Sequence, residues 1–153
     1  MEERFPQGPY LAAAFLCEKV LIETDSVKSA IRIIDRINRT AIAQAPPDTM
    51  EPFDYSLTLF IRFKSGAARG PMSLEVRLSK PSGESPTPLR QTIHFEGEDD
   101  RGIDFVGAMT LRLDQAGLYW FDVYLDGTRL TRIPLRVVYL PQIRQMSEPP
   151  GGL

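Results

Sequence analysis

Between Leu113 and Tyr139 the chain reads LDQAGLYWFDVYLDGTRLTRIPLRVVY, and this stretch limits the fold more than any other. Asp126-Gly127 divides it into two runs. That dipeptide suits a type I′ turn, whose two central residues need positive φ and whose twist matches the strands it joins. On the first run Tyr119, Phe121, Val123 and Leu125 alternate with Leu118, Trp120, Asp122 and Tyr124, so the two sets leave opposite faces of a strand. On the second run Ile133, Leu135, Val137 and Tyr139 share one face, with Arg132 and Arg136 opposite. A hairpin apolar on one face must bury that face against another layer.

The segment leading into the hairpin, Asp114-Gln115-Ala116-Gly117-Leu118-Tyr119, resembles the tyrosine corner of immunoglobulin-like sandwiches. There a Tyr hydroxyl ties a loop back to its own strand. Other segments repeat the period of two. Tyr55, Leu57, Leu59, Ile61 and Phe63 point one way, and Ser56, Thr58, Phe60, Arg62 and Lys64 the other. Met72, Leu74, Val76 and Leu78 form a third run, closed by turn residues at Lys80-Pro81-Ser82-Gly83. Leu89, Gln91, Ile93 and Phe95 form a fourth. Ile103 and Phe105 lead into Met109, Leu111 and Leu113, with a bulge expected at Gly107.

Residues 27–39 fit two templates. Val27, Ala30, Ile31 and Ile34 have helical spacing, whereas Ser29, Ile31, Ile33, Asp35 and Ile37 alternate as in a strand. The pattern leaves these level. The pairing of Cys17-Glu18-Lys19-Val20 with Ser29-Ala30-Ile31-Arg32-Ile33-Ile34-Asp35-Arg36-Ile37 resembles the N-terminal hairpin of an uncharacterised family of small bacterial all-β proteins. The resemblance runs from about Ala12 to Tyr139. It implies two strands here, a break at Ala45-Pro46-Pro47-Asp48, and a sandwich ending in a Gly-x-Tyr hairpin. It implies no activity.

The expected architecture is therefore a single all-β, immunoglobulin-like sandwich of about eight antiparallel strands over residues 10–140. Residues 1–9 are expected to be a flexible lead-in and 141–153 a disordered tail. The 153 residues suffice for one core, and the 42% hydrophobic and 25% charged content is that of a globular chain. A net charge of −2 argues against a nucleic-acid partner. Arg62, Arg77, Arg90, Arg112, Arg132 and Arg136 fall singly on different strands, as solvent-facing positions do. One cysteine excludes an internal disulfide, no apolar run is long enough for a membrane helix, and Glu2 and Glu3 precede the short run Tyr10–Leu16 where a signal peptide has basic residues. The expected setting is the cytoplasm, away from membranes.

Catalysis finds little support. His94 is the only histidine and alternates with Ile93 and Phe95, so it should face solvent, while Cys17 reads as a small core residue. Zinc would need more thiols and imidazoles than one of each. Glu96, Glu98, Asp99 and Asp100 form an acidic loop, with Asp104 just beyond, that has hard-cation donors but not the spacing of an EF-hand, and Arg101 adjoins them. A solvated turn is the simpler reading, and no cofactor is expected. Asp35 shares parity with Ile31 and Ile33, which predicts an inward carboxylate satisfied by backbone or arginine.

Two features point to function. Trp120 and Tyr124 lie opposite the apolar face of the hairpin. If the Tyr55–Phe63 strand neighbours it, Phe60 and Arg62 join them in an aromatic patch with arginines, the composition of a protein–protein contact. The alternative is that the N-terminal hairpin or the tail covers the rings. The C-terminal Gly151-Gly152-Leu153 resembles the tails used in ubiquitin-like conjugation, where side-chain-free backbone enters a narrow site. The expectation is a non-enzymatic module that binds another protein or itself. A diglycine conjugation substrate and a calcium-binding sandwich are the alternatives.

Overall fold

The computed structural model describes residues 5–144. Among the described residues nine strands make up the fold: β1 (Tyr10–Ile22), β2 (Lys28–Ile34), β3 (Arg36–Ala43), β4 (Phe53–Lys64), β5 (Arg69–Ser79), β6 (Leu89–Glu96), β7 (Gly102–Leu113), β8 (Gly117–Leu125) and β9 (Thr128–Ile143). They form a four-stranded sheet ordered β2-β1-β4-β7 and a five-stranded sheet ordered β3-β9-β8-β5-β6. The all-β sandwich is thus present, with nine strands rather than eight and one parallel pair, β3 with β9.

Period-two burial builds the core. Leu57, Leu59, Ile61 and Phe63 of β4 face Tyr119, Phe121, Val123 and Leu125 of β8 and their neighbours between the layers. Phe63 meets Phe95 edge-on at 5.9 Å, joining the two sheets. Each such side chain contributes about 1.5–3 kcal/mol when fully buried. At the hairpin Asp126 and Gly127 both have positive φ, 45° and 78°, as a type I′ turn requires. The Asp126 carboxylate also accepts a hydrogen bond from Ser73 N at 2.7 Å, and Asp126 N donates to Ser73 O at 2.8 Å. The turn is therefore fastened to β5. Tyr119 forms the corner: its hydroxyl donates to Gln115 O at 2.8 Å and accepts from Gln115 N at 3.1 Å.

Residues 28–34 are strand and pair with β1, as the family resemblance implied. The N-terminal half then departs from the expectation. The predicted single strand over 27–39 is cut at Asp35, where the chain leaves one sheet for the other. Asp35 is exposed rather than inward, and its carbonyl accepts Arg136 N at 3.0 Å. Parity cannot carry across that switch. Arg32 has φ of 54°, which breaks the alternation earlier. Ile31 and Ile33 are consequently exposed, while Ile34 and Ile37 pack inward. Bent at that point, the β1–β2 hairpin folds across the outer face of its own sheet.

Three further expectations are corrected. No bulge occurs at Gly107: β7 pairs with β4 in unbroken register, and the ring of Phe105 fills the space where a Cβ at Gly107 would sit. Strand pairing passes residue 140, because Ala43 pairs with Ile143 and Arg144 N donates to Ala43 O at 2.8 Å. The lead-in is docked over residues 5–9, where Pro9 is buried and Ala67 N donates to Gln7 O at 2.8 Å.

Candidate functional site on the five-stranded sheet

Strand pairing decides what surrounds Trp120 and Tyr124. Residues paired across neighbouring strands share a face. Trp120 lies between Ser79 of β5 and Pro134 of β9, Asp122 between Arg77 and Arg132, and Tyr124 between Glu75 and Arg129. One step further, Glu75 pairs with Arg90 of β6, while Arg136 pairs with both Leu118 and Arg36 of β3. Pro134 is tolerated within β9 because β3 pairs only from Arg136 onward, so no amide is needed there.

The side chains interlock. Arg132 Nε donates to Asp122 Oδ1 at 2.7 Å, and its guanidinium lies 4.4 Å from the centroid of the Trp120 ring. Arg77 Nε donates to Glu75 Oε1 at 2.7 Å, with its guanidinium 4.0 Å above Tyr124. Glu75 also lies 3.7 Å from Arg90. The hydrogen bond from Arg77 holds the Glu75 carboxyl below its ordinary range and raises Arg77 in turn. Among the described residues, Arg36, Arg77, Arg90, Arg129, Arg132 and Arg136 stand around the two rings, against Glu75, Asp122 and, at the hairpin turn, Asp126. At the far corner Arg69 pairs with Glu96 and adds no net charge. The rings point outward as expected and, among the described residues, are neither covered by the N-terminal hairpin nor left bare; the tail beyond residue 144 lies outside the described residues. Guanidiniums cap the rings.

Phe60 and Arg62 do not belong to this surface. Their strand, β4, is flanked by β1 and β7, so they occupy the outer face of the opposite sheet. Phe60 is buried and stacks on Phe15 at 5.1 Å. Arg62 makes a bidentate pair with Asp104, at 2.7 and 2.9 Å, and Lys28 adds a third contact at 2.8 Å. These partners lower the Asp104 carboxyl to about 2, Arg62 contributing most.

The acidic loop folds around Arg101 rather than around a vacant centre. Arg101 pairs with Glu96 and lies 3.6 Å from Glu98. Lys64 donates to the Asp100 carbonyl at 3.0 Å. Among the described residues, Glu96, Glu98, Asp99 and Asp100 do not converge into a metal-holding group. Cys17 is buried on the outer face of the four-stranded sheet, paired with Thr58, and burial raises its thiol. His94 is exposed on the other sheet. The two are therefore not neighbours. Gly151 and Gly152 lie outside the described residues.

The sequence missed the caps on the rings. Arg77 and Arg132 showed only as isolated outward positions, and cross-strand register alone sets them over Tyr124 and Trp120.

Residues 12–138 match the model of a family described as a family of unknown function, DUF6941. The chain belongs to that family. The match to DUF6941 spans every strand of both sheets, from within β1 to within β9. No curated protein sequence matches the chain. Among solved structures it is similar to an immunoglobulin-like protein from Pseudomonas aeruginosa, at 12% identity and a TM-score of 0.33, over 82% of this chain and 97% of that one. It is also similar to the Pseudomonas fluorescens alkylpurine DNA glycosylase AlkC bound to DNA containing an abasic site analog, at 10% identity and a TM-score of 0.37. That likeness covers 82% of this chain and 30% of the glycosylase's length. Both likenesses are loose. The all-β assignment of this DUF6941 member rests on its own strand pairing, and the bound DNA belongs to the glycosylase. Among the described residues no helix is long and apolar enough to cross a membrane.

Proposed function

We propose that the protein is a non-enzymatic binding module that engages another protein through the Trp120–Tyr124 face of its five-stranded sheet. One observation carries this reading: two half-buried aromatic rings on the outer face of the five-stranded sheet, each held under an arginine that is itself pinned by a carboxylate. Trp, Tyr and Arg dominate the energetic centres of protein interfaces, and immobilised side chains lose little entropy on binding. Self-association through this face is the weaker form of the proposal. A two-fold contact of the face with itself would set its surplus arginines against their own copies. A reducing, cytoplasmic setting accords with the single buried cysteine.

The test is affinity purification from the source cells with wild type and the Trp120→Ala/Tyr124→Ala variant, with light scattering on each. A protein held by wild type and lost by the variant is the expected result. A partner set identical for both, with both monomeric, overturns the reading.

A further inference from the structure

Resting on that reading, we propose that the partner presents an extended acidic peptide segment, whose carboxylates engage the arginines around Trp120 and Tyr124. The first ground is charge. Six arginines surround the rings against three carboxylates, Glu75, Asp122 and Asp126, a surplus of three positive charges in a chain whose net charge is −2. The positive charge is therefore concentrated on this face and opposed by the rest of the molecule. Such a field steers and retains anionic partners.

The second ground is geometry. The arginine row crosses the sheet from Arg90 on β6, through Arg77 on β5 and Arg132 on β9, to Arg36 on β3. The row runs diagonally, four strand spacings across and six residues along the strands from the level of Tyr124 to that of Leu118, roughly 28 Å in all, the length of about eight extended residues. Arg77 and Arg132 each commit Nε to the sheet, to Glu75 and Asp122. A guanidinium has further donors on its terminal nitrogens, in the fork that fits a carboxylate.

The third ground separates peptide from nucleic acid. Single-stranded nucleic acid is held largely by bases stacked on aromatic faces. Here the guanidiniums lie on those faces, 4.0 Å from Tyr124 and 4.4 Å from Trp120, and occupy the stacking position. What remains is a charged row, suited to side-chain carboxylates.

Trp120 is the only tryptophan, so its fluorescence reports directly on the site. The experiment titrates the full chain with a short peptide alternating Glu and Thr, its Gln-Thr counterpart, and an oligothymidylate of matching charge. The Glu-Thr peptide is expected to shift Trp120 emission, with an affinity that falls steeply as salt rises. Arg77→Gln and Arg132→Gln are each expected to weaken binding about tenfold, the loss of one charge-assisted pair. Arg112→Gln, an exposed arginine of β7 that removes the same charge elsewhere, is expected to leave binding unchanged. Equal binding of the Gln-Thr peptide, equal loss in Arg112→Gln, or no response to the Glu-Thr peptide overturns this inference. It leaves the protein-binding reading standing if affinity purification still recovers a face-dependent partner. Preferential binding of oligothymidylate overturns both.

Discussion

Lys28 Nζ lies 2.8 Å from Asp104 Oδ2, although their strands, β2 and β7, are the two opposite edges of the four-stranded sheet. Laid flat, the two edges would be three strand spacings apart, about 14 Å. They would also be offset lengthwise, because Asp104 is level with Arg62 and Ala13, whereas Lys28 pairs with Ile22. The nine residues from Ala13 to Ile22 span about 30 Å of extended strand. Only a hairpin doubled back over the outer face brings the two groups together. The bend falls at Glu18 and Arg32, joined by a 2.7 Å ion pair with Arg32 at positive φ. Glu18 already borders Thr58, Ala108 and Thr110 of β4 and β7.

Asp104 should therefore stabilise the fold in a pH-dependent way. Its folded carboxyl titrates at about 2, below the ordinary 3.8. The stabilisation is full above pH 4 and is lost as pH falls through that interval toward 2. Asp104→Asn is expected to lower stability by roughly 2 kcal/mol at pH 7, and by much less near pH 2. Urea unfolding of both proteins at the two pH values measures this. A difference that does not change with pH would mean that charge pairing is not the cause.

Cys17 offers a second measure of the same cover. It is fully buried on the outer-facing side of β1, next to Thr58 and Phe15, beneath the folded hairpin. Its thiol should react with a disulfide reagent only when the hairpin lifts. Lys28→Met removes one anchor and is expected to speed labelling about tenfold, while global stability changes less. Labelling as fast in wild type as in the unfolded chain would contradict the cover.

Tyr119→Phe keeps the ring in the core but deletes a hydroxyl bonded to both Gln115 N and Gln115 O. The expected cost is about 1–2 kcal/mol, seen as a fall in Tm of roughly 2–8 °C. An unchanged melting curve would show that the corner adds nothing to stability.

Gly127→Ala isolates backbone conformation. A Cβ at Gly127 would meet nothing within 4 Å, so the substitution carries no steric cost beyond its φ of 78°. The expected loss is about 1 kcal/mol. Asp126→Ala should cost at least as much, because it removes the 2.7 Å hydrogen bond from the Ser73 amide as well as placing Ala at positive φ, whereas Asp126→Asn should retain most of the stability. Chemical denaturation of the three variants checks the order.

The period of two in β4, β5, β8 and β9 was legible along the chain, and with it the sandwich, the type I′ turn and the outward placement of Trp120 and Tyr124. These features depend on neighbours close in sequence: alternation sets the face, and Asp126-Gly127 sets the turn. The mixed pattern of residues 27–39 was unreadable because that segment serves two sheets in succession, with Asp35 at the change and Arg32 reversing parity before it. Phe60 and Arg62 carried the right parity for an exposed patch, but parity does not say which sheet a strand joins. Pairing partners come from anywhere in the chain, so strand order, the folded-back hairpin and the arginines lying on Trp120 and Tyr124 were settled only when the whole chain packed.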